Sequence, residues 1–289
     1  MINVPLKTLG GRQFWGDVRF CHGWRVQQNV LSQHYRLLDK NDVRYAAGTL
    51  RDCEDRLQEI RQLQTWPRMT GRAIIFIHGI GRSSKCFQAM ARTFQNDYDQ
   101  LIPFDYPSTR ITIQQSVEYL RRMMQSLEDV SDIDVVCHSM GGLLLRAFLA
   151  EHHEPRFRRA VMLGVPNRGA QMADFLRNNP VFRLLFGPAG QQLVTDNDGL
   201  ISRLPAPEFE FGILAGGRRN ETGFNPLLPG DNDSTVTVES ARLDQAADMV
   251  VLPVIHAFLM SAQSCIQATQ NFLNTGHFNT GADASLSSV

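Results

Sequence analysis

From Gly71 onward the sequence alternates between short, continuously apolar runs and longer amphipathic stretches. Runs that are apolar on both faces are typical of parallel strands covered by helices on both sides. The alternation therefore predicts an α/β fold with a mostly parallel central sheet. Intervening segments such as 113–127 and 141–151 have the length and spacing of helices. The predicted strands span residues 73–77, 101–104, 133–137, 160–163, 211–215 and 249–255.

The first 70 residues have a different texture. Residues 24–30 and 34–38 are predicted to pair as a hairpin, and residues 49–63 have the apolar spacing of a helix. We expect this N-terminal extension, residues 1–70, to add antiparallel edge strands and a leading helix to the same sheet. It is expected to belong to the same domain, because a separate domain of that length would have a thin core.

The composition excludes several classes of protein. Lys and Arg number 29 and so do Asp and Glu, so no net charge draws the chain to nucleic acid or an anionic membrane. The five cysteines are scattered without close spacing, which favours free thiols in a reducing compartment. We find neither a leader-like N-terminus nor an apolar run of roughly 20 residues, and therefore expect a cytoplasmic protein without a membrane span.

The run IDVVCHSMGGL, residues 133–143, predicts a buried strand, an abrupt turn and a helix. A serine in such a turn is held in a strained conformation that exposes its Oγ above the sheet. Gly141 and Gly142 provide the small residues that a closely passing helix requires, while Cys137 stands where the G-x-S-x-G pattern usually has glycine. Ser139 is therefore a candidate nucleophile, although serine is also a favoured helix N-cap.

A glycine-containing segment, HGIGR at residues 78–82, follows the first strand of the main sheet. Glycines at this place let the backbone approach a substrate carbonyl, so the N–H groups of Ile80 and Met140 are candidate oxyanion donors. His78 is expected to orient this loop, because in hydrolases with such a strand-turn-helix the base follows the nucleophile in the chain.

Four histidines follow Ser139 and are candidates for the base. His152 and His153 lie 13 and 14 residues further along the predicted helix, about 20 Å away at a rise of about 1.5 Å per residue. His277 follows a helical segment closed by a glycine and is better explained as part of a C-cap. His256 directly follows the last predicted strand, at its carboxyl end, and is therefore the candidate base.

The acid that orients the base is expected between Ser139 and His256, in a loop that reaches the imidazole. Candidates cluster in the segment PGDNDSTVTVESA, residues 229–241. Asp233 lies directly before the run TVTV, and Asp231 lies two residues earlier. Aspartates also cap turns, so the pattern alone leaves both residues open.

Together these segments resemble the lipase and esterase branch of the α/β-hydrolases, and most closely bacterial lipase-like acyl hydrolases, over residues 72–278. The resembling segments are HGIGR from His78, DYPSTR from Asp105, VCHSMGGLLLR from Val136, LGVPNRGA from Leu163, DNDSTV from Asp231 and VIHAFLM from Val254. In that branch the acid commonly precedes a glycine in an Asn-Asp-Gly-x-Val segment. The resemblance therefore implies Asp233 as the acid, with Ser234 where glycine is usual.

The resemblance also implies a mechanism. His256 would take the proton of Ser139 while Asp233 holds the imidazole, and the amides of Ile80 and Met140 would hold the oxyanion. An acyl-enzyme would form and then be hydrolysed by water. A serine hydrolase of this kind cleaves carboxylic esters, so the expected partner is a small-molecule or lipid ester, with no nucleic acid and no metal or cofactor.

The resemblance makes residues 71–289 the catalytic domain of an α/β-hydrolase fold. Within it, the apolar segment 170–204 is expected to form a small cap or lid over the site, or else an ordinary covering helix. Two alternatives to ester hydrolysis stay open: acyl transfer by the same triad, if the acyl-enzyme is shielded from water, and a non-catalytic scaffold.

Overall fold

A computed structural model of the protein describes residues 6–8, 12–195 and 198–278. Two β-sheets and the helices around them make up most of this part of the chain. The strands are β1 Leu6–Lys7, β2 Trp15–Cys21, β3 Trp24–Asn29, β4 Tyr35–Leu38, β5 Val43–Gly48, β6 Gly71–Ile77, β7 Gln100–Phe104, β8 Val130–His138, β9 Phe157–Leu163, β10 Glu210–Gly216 and β11 Asp248–Leu252. The α-helices are α1 Leu50–Leu63, α2 Gln88–Phe94, α3 Ile113–Met124, α4 Met140–Glu151, α5 Gln171–Leu176, α6 Pro180–Gln191, α7 Leu200–Arg203, α8 Val238–Ala241 and α9 Gln263–Thr275.

The main sheet, within the described residues, has six parallel strands in the order β11-β10-β9-β8-β6-β7. Every apolar run that was predicted to be a strand lies in this sheet, so the predicted α/β class is confirmed. The last strand is shorter than predicted. It ends at Leu252, because Pro253 has no N–H group with which to continue the hydrogen-bonding ladder.

Both faces of the main sheet are covered, which explains why its strands are continuously apolar. Successive residues of β6 point to opposite faces: Ile75 and Ile77 pack with side chains of α3 and α4, and Ile74 and Phe76 pack with those of α2 and α9. All four side chains are buried. Burial of each stabilises the fold by about 1.5–3 kcal/mol before the entropic cost of ordering it.

The first strands of the chain form a separate sheet. Residues 6–7 and 15–48 pair antiparallel in the order β1-β5-β4-β3-β2. The predicted hairpin is present as β3 and β4, but the expectation that it extends the edge of the main sheet is wrong. Short turns join β2 to β3, β3 to β4 and β4 to β5. Each of these four strands therefore pairs with its neighbour along the chain.

The two sheets share one apolar cluster, in which Val18, Val26 and Leu37 of the second sheet are buried together with Ile75 of the main sheet. That residues 1–70 form a single domain with the rest stays a prediction, and residues 1–5 and 9–11 lie outside the described part. None of the described helices combines the length and the apolar character that crossing a bilayer requires.

The segment predicted as a cap contains α5, α6 and α7, while residues 196 and 197 lie outside the described part. Helix α6 is kinked at Gly187, where φ is 58° and ψ is −155°. A Cβ atom at this position would lie 1.9 Å from the carbonyl oxygen of Thr109, so only glycine permits the approach. Next to the kink, the ring of Phe186 lies 3.9 Å from the position of a Cβ at Gly81, so the helix packs beside the loop that follows β6.

Candidate active site

Ser139 lies in the turn between β8 and α4, at the carboxyl edge of the main sheet. Its φ of 54° and ψ of −128° are sterically costly for any residue other than glycine. Its hydroxyl accepts no capping hydrogen bond from α4, so the side chain does not act as an N-cap. The sequence thus places a serine in a strained turn that gives α4 no side-chain cap, which is the arrangement expected of a nucleophile.

Small residues around this turn are required by close packing. A Cβ atom at Gly141 would lie 2.4 Å from the carbonyl oxygen of Ile77, and one at Gly142 would lie 2.4 Å from Val165 Cγ2. The first turn of α4 therefore packs closely on the end of β6 and on the segment after β9, where larger residues would not fit. Cys137, in the usual glycine position, is fully buried in β8 and is accommodated there.

Asp233 and His256 lie together at the same edge of the sheet. Asp233 Oδ2 is 2.6 Å from His256 Nδ1, and the carboxylate is completely buried while the imidazole is 11% exposed. The other carboxylate oxygen accepts hydrogen bonds from the amides of Thr235 and Val236, at 2.9 and 2.7 Å. Because a carboxylate only accepts, Nδ1 carries the proton and Nε2 is the nitrogen left to act as a base.

Asp231, the alternative acid, makes a different set of contacts. Its two oxygens accept hydrogen bonds from the backbone amides of Arg218 and Arg219, at 2.7 and 2.8 Å. The carboxylate therefore shapes the loop that follows β10. The structure pairs His256 with Asp233.

His138 links the turn at Ser139 to His256. Its Nε2 donates a hydrogen bond to the carbonyl oxygen of His256 at 3.1 Å, and the two rings lie 4.6 Å apart. The donation leaves Nδ1 unprotonated, and this buried atom has no hydrogen-bond partner among the residues that the structure describes. Burial lowers the pKa of His138 well below its ordinary value, and the neighbouring imidazole of His256 lowers it further, so the ring is neutral.

The residues predicted to form an oxyanion hole flank Ser139. A Cβ atom at Gly79 would lie 2.9 Å from Ser139 Cβ, so the loop of residues 78–84, called the glycine loop below, contacts the turn directly. Within the described residues, neither Ile80 N–H nor Met140 N–H donates a hydrogen bond. Both N–H groups therefore stay candidate oxyanion donors.

His78 is held inside the glycine loop, as its predicted orienting role requires. Its ring stacks on that of Tyr106 at 4.4 Å, and the hydroxyl of Tyr106 donates to the carbonyl oxygen of His78 at 2.7 Å. Burial lowers the pKa of His78, against the opposing effect of Asp105. A neutral, fully enclosed imidazole suits a role in shaping the loop.

The remaining histidines lie elsewhere. His152 is the C-cap of α4 and His153 follows it, at the opposite end of the helix from Ser139. His277 follows Gly276, the C-cap of α9, and its Nδ1 lies 3.9 Å from Asp248. In the structure these three histidines are not part of the site, as helix geometry and capping predicted.

Ser139 and His256 are not hydrogen-bonded to each other in this structure, as the bonds of the described residues show. Catalytic hydrogen bonds are often long without substrate and tighten in the complex. The missing hydrogen bond is therefore compatible with a catalytic pair.

One supporting position was not predicted from the sequence. Gly164, directly after β9, has a φ of 55°, and a Cβ atom there would lie 2.9 Å from Asp233 Oδ2 and 3.1 Å from His256 Nδ1. The pair of side chains thus occupies space that any larger residue at 164 would fill. The sequence feature that could have indicated this position is a glycine directly after an apolar run.

Solved structures share this architecture. The mature form of the lipase BlEst2 from Bacillus licheniformis is similar over 71% of this chain and 91% of its own, with a TM-score of 0.55 and 23% identity. The lin2722 gene product of Listeria innocua is similar over 73% of this chain and 96% of its own, with a TM-score of 0.51 and 19% identity. The protein therefore has the α/β-hydrolase fold.

The family is given by the sequence itself. Residues 43–194, more than half of the chain, match the family described as Domain of unknown function (DUF7379), and the chain belongs to that family. No curated protein matches the chain.

Proposed function

We propose that this protein is a serine hydrolase that cleaves carboxylic esters, with Ser139 as nucleophile, His256 as base and Asp233 as the acid that orients the base. The observation that carries the proposal is the 2.6 Å contact between Asp233 Oδ2 and His256 Nδ1, beside the strained turn at Ser139. It reserves Nε2 of His256 for the proton of a nucleophile.

The proposed reaction has two halves. Ser139 Oγ attacks the ester carbonyl while His256 Nε2 takes its proton, and the N–H groups of Ile80 and Met140 stabilise the oxyanion. The proton then passes from His256 to the leaving alkoxide, which departs as the alcohol. A water molecule, deprotonated by the same nitrogen, attacks the acyl-enzyme and releases the acid and free Ser139.

Asp233 stabilises the imidazolium that forms in both halves. Its buried charge lies in a low-dielectric environment, where its attraction to a protonated ring is stronger than in water. The hydrogen bonds from Thr235 and Val236 hold the carboxylate in line with the imidazole.

The segment 170–204 is the proposed cap, and an ester with an apolar acyl group is the proposed substrate. Helix α6 contacts the glycine loop, because the Cδ1 atom of Ile80 lies 3.6 Å from the position of a Cβ at Gly190. The segment also carries exposed apolar side chains, which favour an apolar ligand. They are Phe175, Val181, Leu184 and Leu185.

A fluorophosphonate probe tests the nucleophile, because it reacts with an activated serine. We expect it to label the wild-type protein and a Ser131→Ala control, which changes an exposed serine of β8, but not Ser139→Ala. Hydrolysis of short p-nitrophenyl esters should fall by about 10⁴-fold or more in Ser139→Ala and stay unchanged in the control. Labelling of Ser139→Ala at the wild-type level would refute the assignment.

A further inference from the structure

The glycine loop has to be held in one conformation if Ile80 N–H is to act on a transition state. Oxyanion donors accelerate a reaction only when they are already oriented before charge develops. The loop follows β6 and lies outside the main sheet, so the hydrogen bonds of the sheet do not fix its conformation. Side chains that bind the backbone of this loop therefore influence the orientation of Ile80 N–H.

Gln13 lies just before β2. Its side-chain amide binds both the glycine loop and the loop that follows β7. Its Nε2 donates to the carbonyl oxygen of Arg82 at 2.6 Å, and its Oε1 accepts from Ser108 Oγ at 2.8 Å and from Thr109 N at 3.2 Å. Ser108 Oγ in turn accepts a hydrogen bond from Gly81 N at 3.0 Å. One side chain of the N-terminal region thus fixes the two residues that follow Ile80.

Asp105 fixes the far end of the glycine loop. Its Oδ1 accepts a hydrogen bond from Ser84 N at 2.6 Å, and its Oδ2 accepts from Arg25 at 2.7 Å. Asp17 of β2 exchanges backbone contacts with it: Asp17 N donates to Asp105 O at 2.8 Å, and Asp105 N donates to Asp17 Oδ2 at 2.7 Å. Asp105 is therefore anchored by two strands of the second sheet.

These charges are buried, with Asp17, Arg25 and Asp105 each less than one-tenth exposed. Burial acts to raise the pKa of Asp105, but the charge of Arg25 outweighs it and the pKa is lowered. Burial raises the pKa of Asp17 to about 7, although Arg25 opposes the shift. The arginine thus keeps Asp105 ionised, which strengthens its hydrogen bond from Ser84.

We propose that the N-terminal region takes part in the reaction through positioning residues for the oxyanion donor Ile80, namely Gln13, which binds the glycine loop, and Asp17 and Arg25, which act on the loop through Asp105. The inference rests on the proposed function. A purely stabilising sheet would need only its apolar face, which is already packed against the main sheet. Gln13 instead binds the backbone of the glycine loop directly. Asp17 and Arg25 reach it through Asp105, which accepts a hydrogen bond from Ser84 N.

The variant Gln13→Met tests the proposal, because methionine has similar length and volume but donates and accepts no comparable hydrogen bond. Gln28→Met is the matched control: Gln28 is a half-buried glutamine of β3 that binds Gln33 and Arg122, far from the glycine loop in the contact network. Ser108→Ala removes the hydrogen bonds of Ser108 Oγ to Gly81 N and to Gln13 Oε1. This variant replaces Gln13→Met if Gln13→Met does not fold.

Two measurements are made on each protein. Hydrogen exchange of the glycine loop follows the amides of Gly81, Arg82 and Ser84, all of which are hydrogen-bonded. We expect it to be about tenfold faster in Gln13→Met and Ser108→Ala than in wild type or Gln28→Met. For p-nitrophenyl ester hydrolysis we expect kcat to fall about tenfold with KM within about twofold, because oxyanion contacts form only in the transition state.

Each outcome decides the proposal. Unchanged exchange in the glycine loop overturns it whatever the activity, and faster exchange with wild-type kcat overturns the positioning role. An equal increase in exchange and loss of kcat in Gln28→Met would show general destabilisation, and this result also overturns the proposal. If the wild-type protein neither hydrolyses esters nor labels at Ser139, the proposed function fails, and the exchange data alone then decide whether the second sheet holds the loop.

Discussion

The two sheets of this protein are built on opposite principles. The strands of the main sheet are largely apolar on both faces, and the proposed catalytic side chains stand at their carboxyl ends. The buried Asp134 of β8, which pairs with Arg72 and Arg158, is an exception. The second sheet buries polar and charged groups within its strands, among them Asp17, Arg25, Gln27 and Arg36. Hydrophobic burial is non-directional and makes a strong frame, whereas buried ions and amides need particular partners and join one element to another in a defined orientation.

The difference predicts how each region responds to substitution. Polar side chains at the edge of the main sheet should affect turnover more than stability, since the frame beneath them is apolar. Buried charges of the second sheet should affect stability first, since removal of one partner leaves the others unpaired in a low dielectric.

The largest effect is expected for Asp233→Asn. An amide at this position turns the imidazole of His256 toward the wrong tautomer, so kcat for ester hydrolysis should fall by about 10⁴-fold. Asp231→Asn is the control, because Asp231 binds only backbone amides of the neighbouring loop, and its kcat should stay within about tenfold of wild type. Urea unfolding of both variants separates lost chemistry from lost fold. Similar losses of kcat in the two variants would contradict the assignment of the acid.

A large effect on stability is expected for Arg25→Met. The substitution leaves Asp17 and Asp105 buried without this cation and removes one of the two cations at Asp42, which keeps Lys85. The free energy of unfolding should therefore fall by about 3–5 kcal/mol. Arg121→Met is the control, because Arg121 pairs with Glu118 on the surface of α3 and should change stability by less than about 1 kcal/mol. Urea denaturation at neutral pH measures both. Equal, small losses would mean that the second sheet does not depend on its buried charges.

A smaller effect is expected in the pH dependence of stability, through His138. Its pKa in the folded protein is well below the ordinary value of 6.5, so below that pH the unfolded chain binds a proton that the folded protein does not. The free energy of unfolding should therefore fall as the pH is lowered from about 6.5, by up to about 1.4 kcal/mol per pH unit for this proton.

The variant His138→Gln isolates this contribution, because the glutamine amide can still donate to the carbonyl oxygen of His256 but does not titrate. The slope of stability against pH between about pH 6 and pH 5 should be shallower than in wild type by up to that amount. His78, whose pKa is also lowered, titrates in both proteins and cancels in the comparison. Identical slopes would show that His138 takes up its proton without penalty in the folded state.

Local patterns in the sequence predicted much of the main sheet and of the candidate site. Continuous apolar runs identified β6 to β11, and the IDVVCHSMGGL run placed Ser139 in a turn between strand and helix. Chain order and helix length separated His256 from His152 and His153. These predictions succeeded in placing residues because each depends on neighbours within one strand or helix.

Other features had no local signal. Asp231 and Asp233 lie two residues apart in one loop, and only the direction of each side chain distinguishes their partners. The pairing of β3 and β4 was predicted, but the separate sheet to which they belong was not. The residue pattern within a strand does not indicate which further strands lie beside it. Gln13 binds residues 69 and 96 positions away in the chain, so nothing around it in the sequence indicated a role.

The sequence by itself determined the α/β class, the strained turn that carries Ser139 and the order in which the proposed catalytic groups follow one another, because periodicity and turn chemistry act over a few residues. Only the tertiary structure decided that Asp233 pairs with His256, that the N-terminal strands form their own sheet, and that Gln13, just before β2, binds the glycine loop. Those outcomes depend on hydrogen bonds and ion pairs between distant segments, whose directions are set only once the chain has packed.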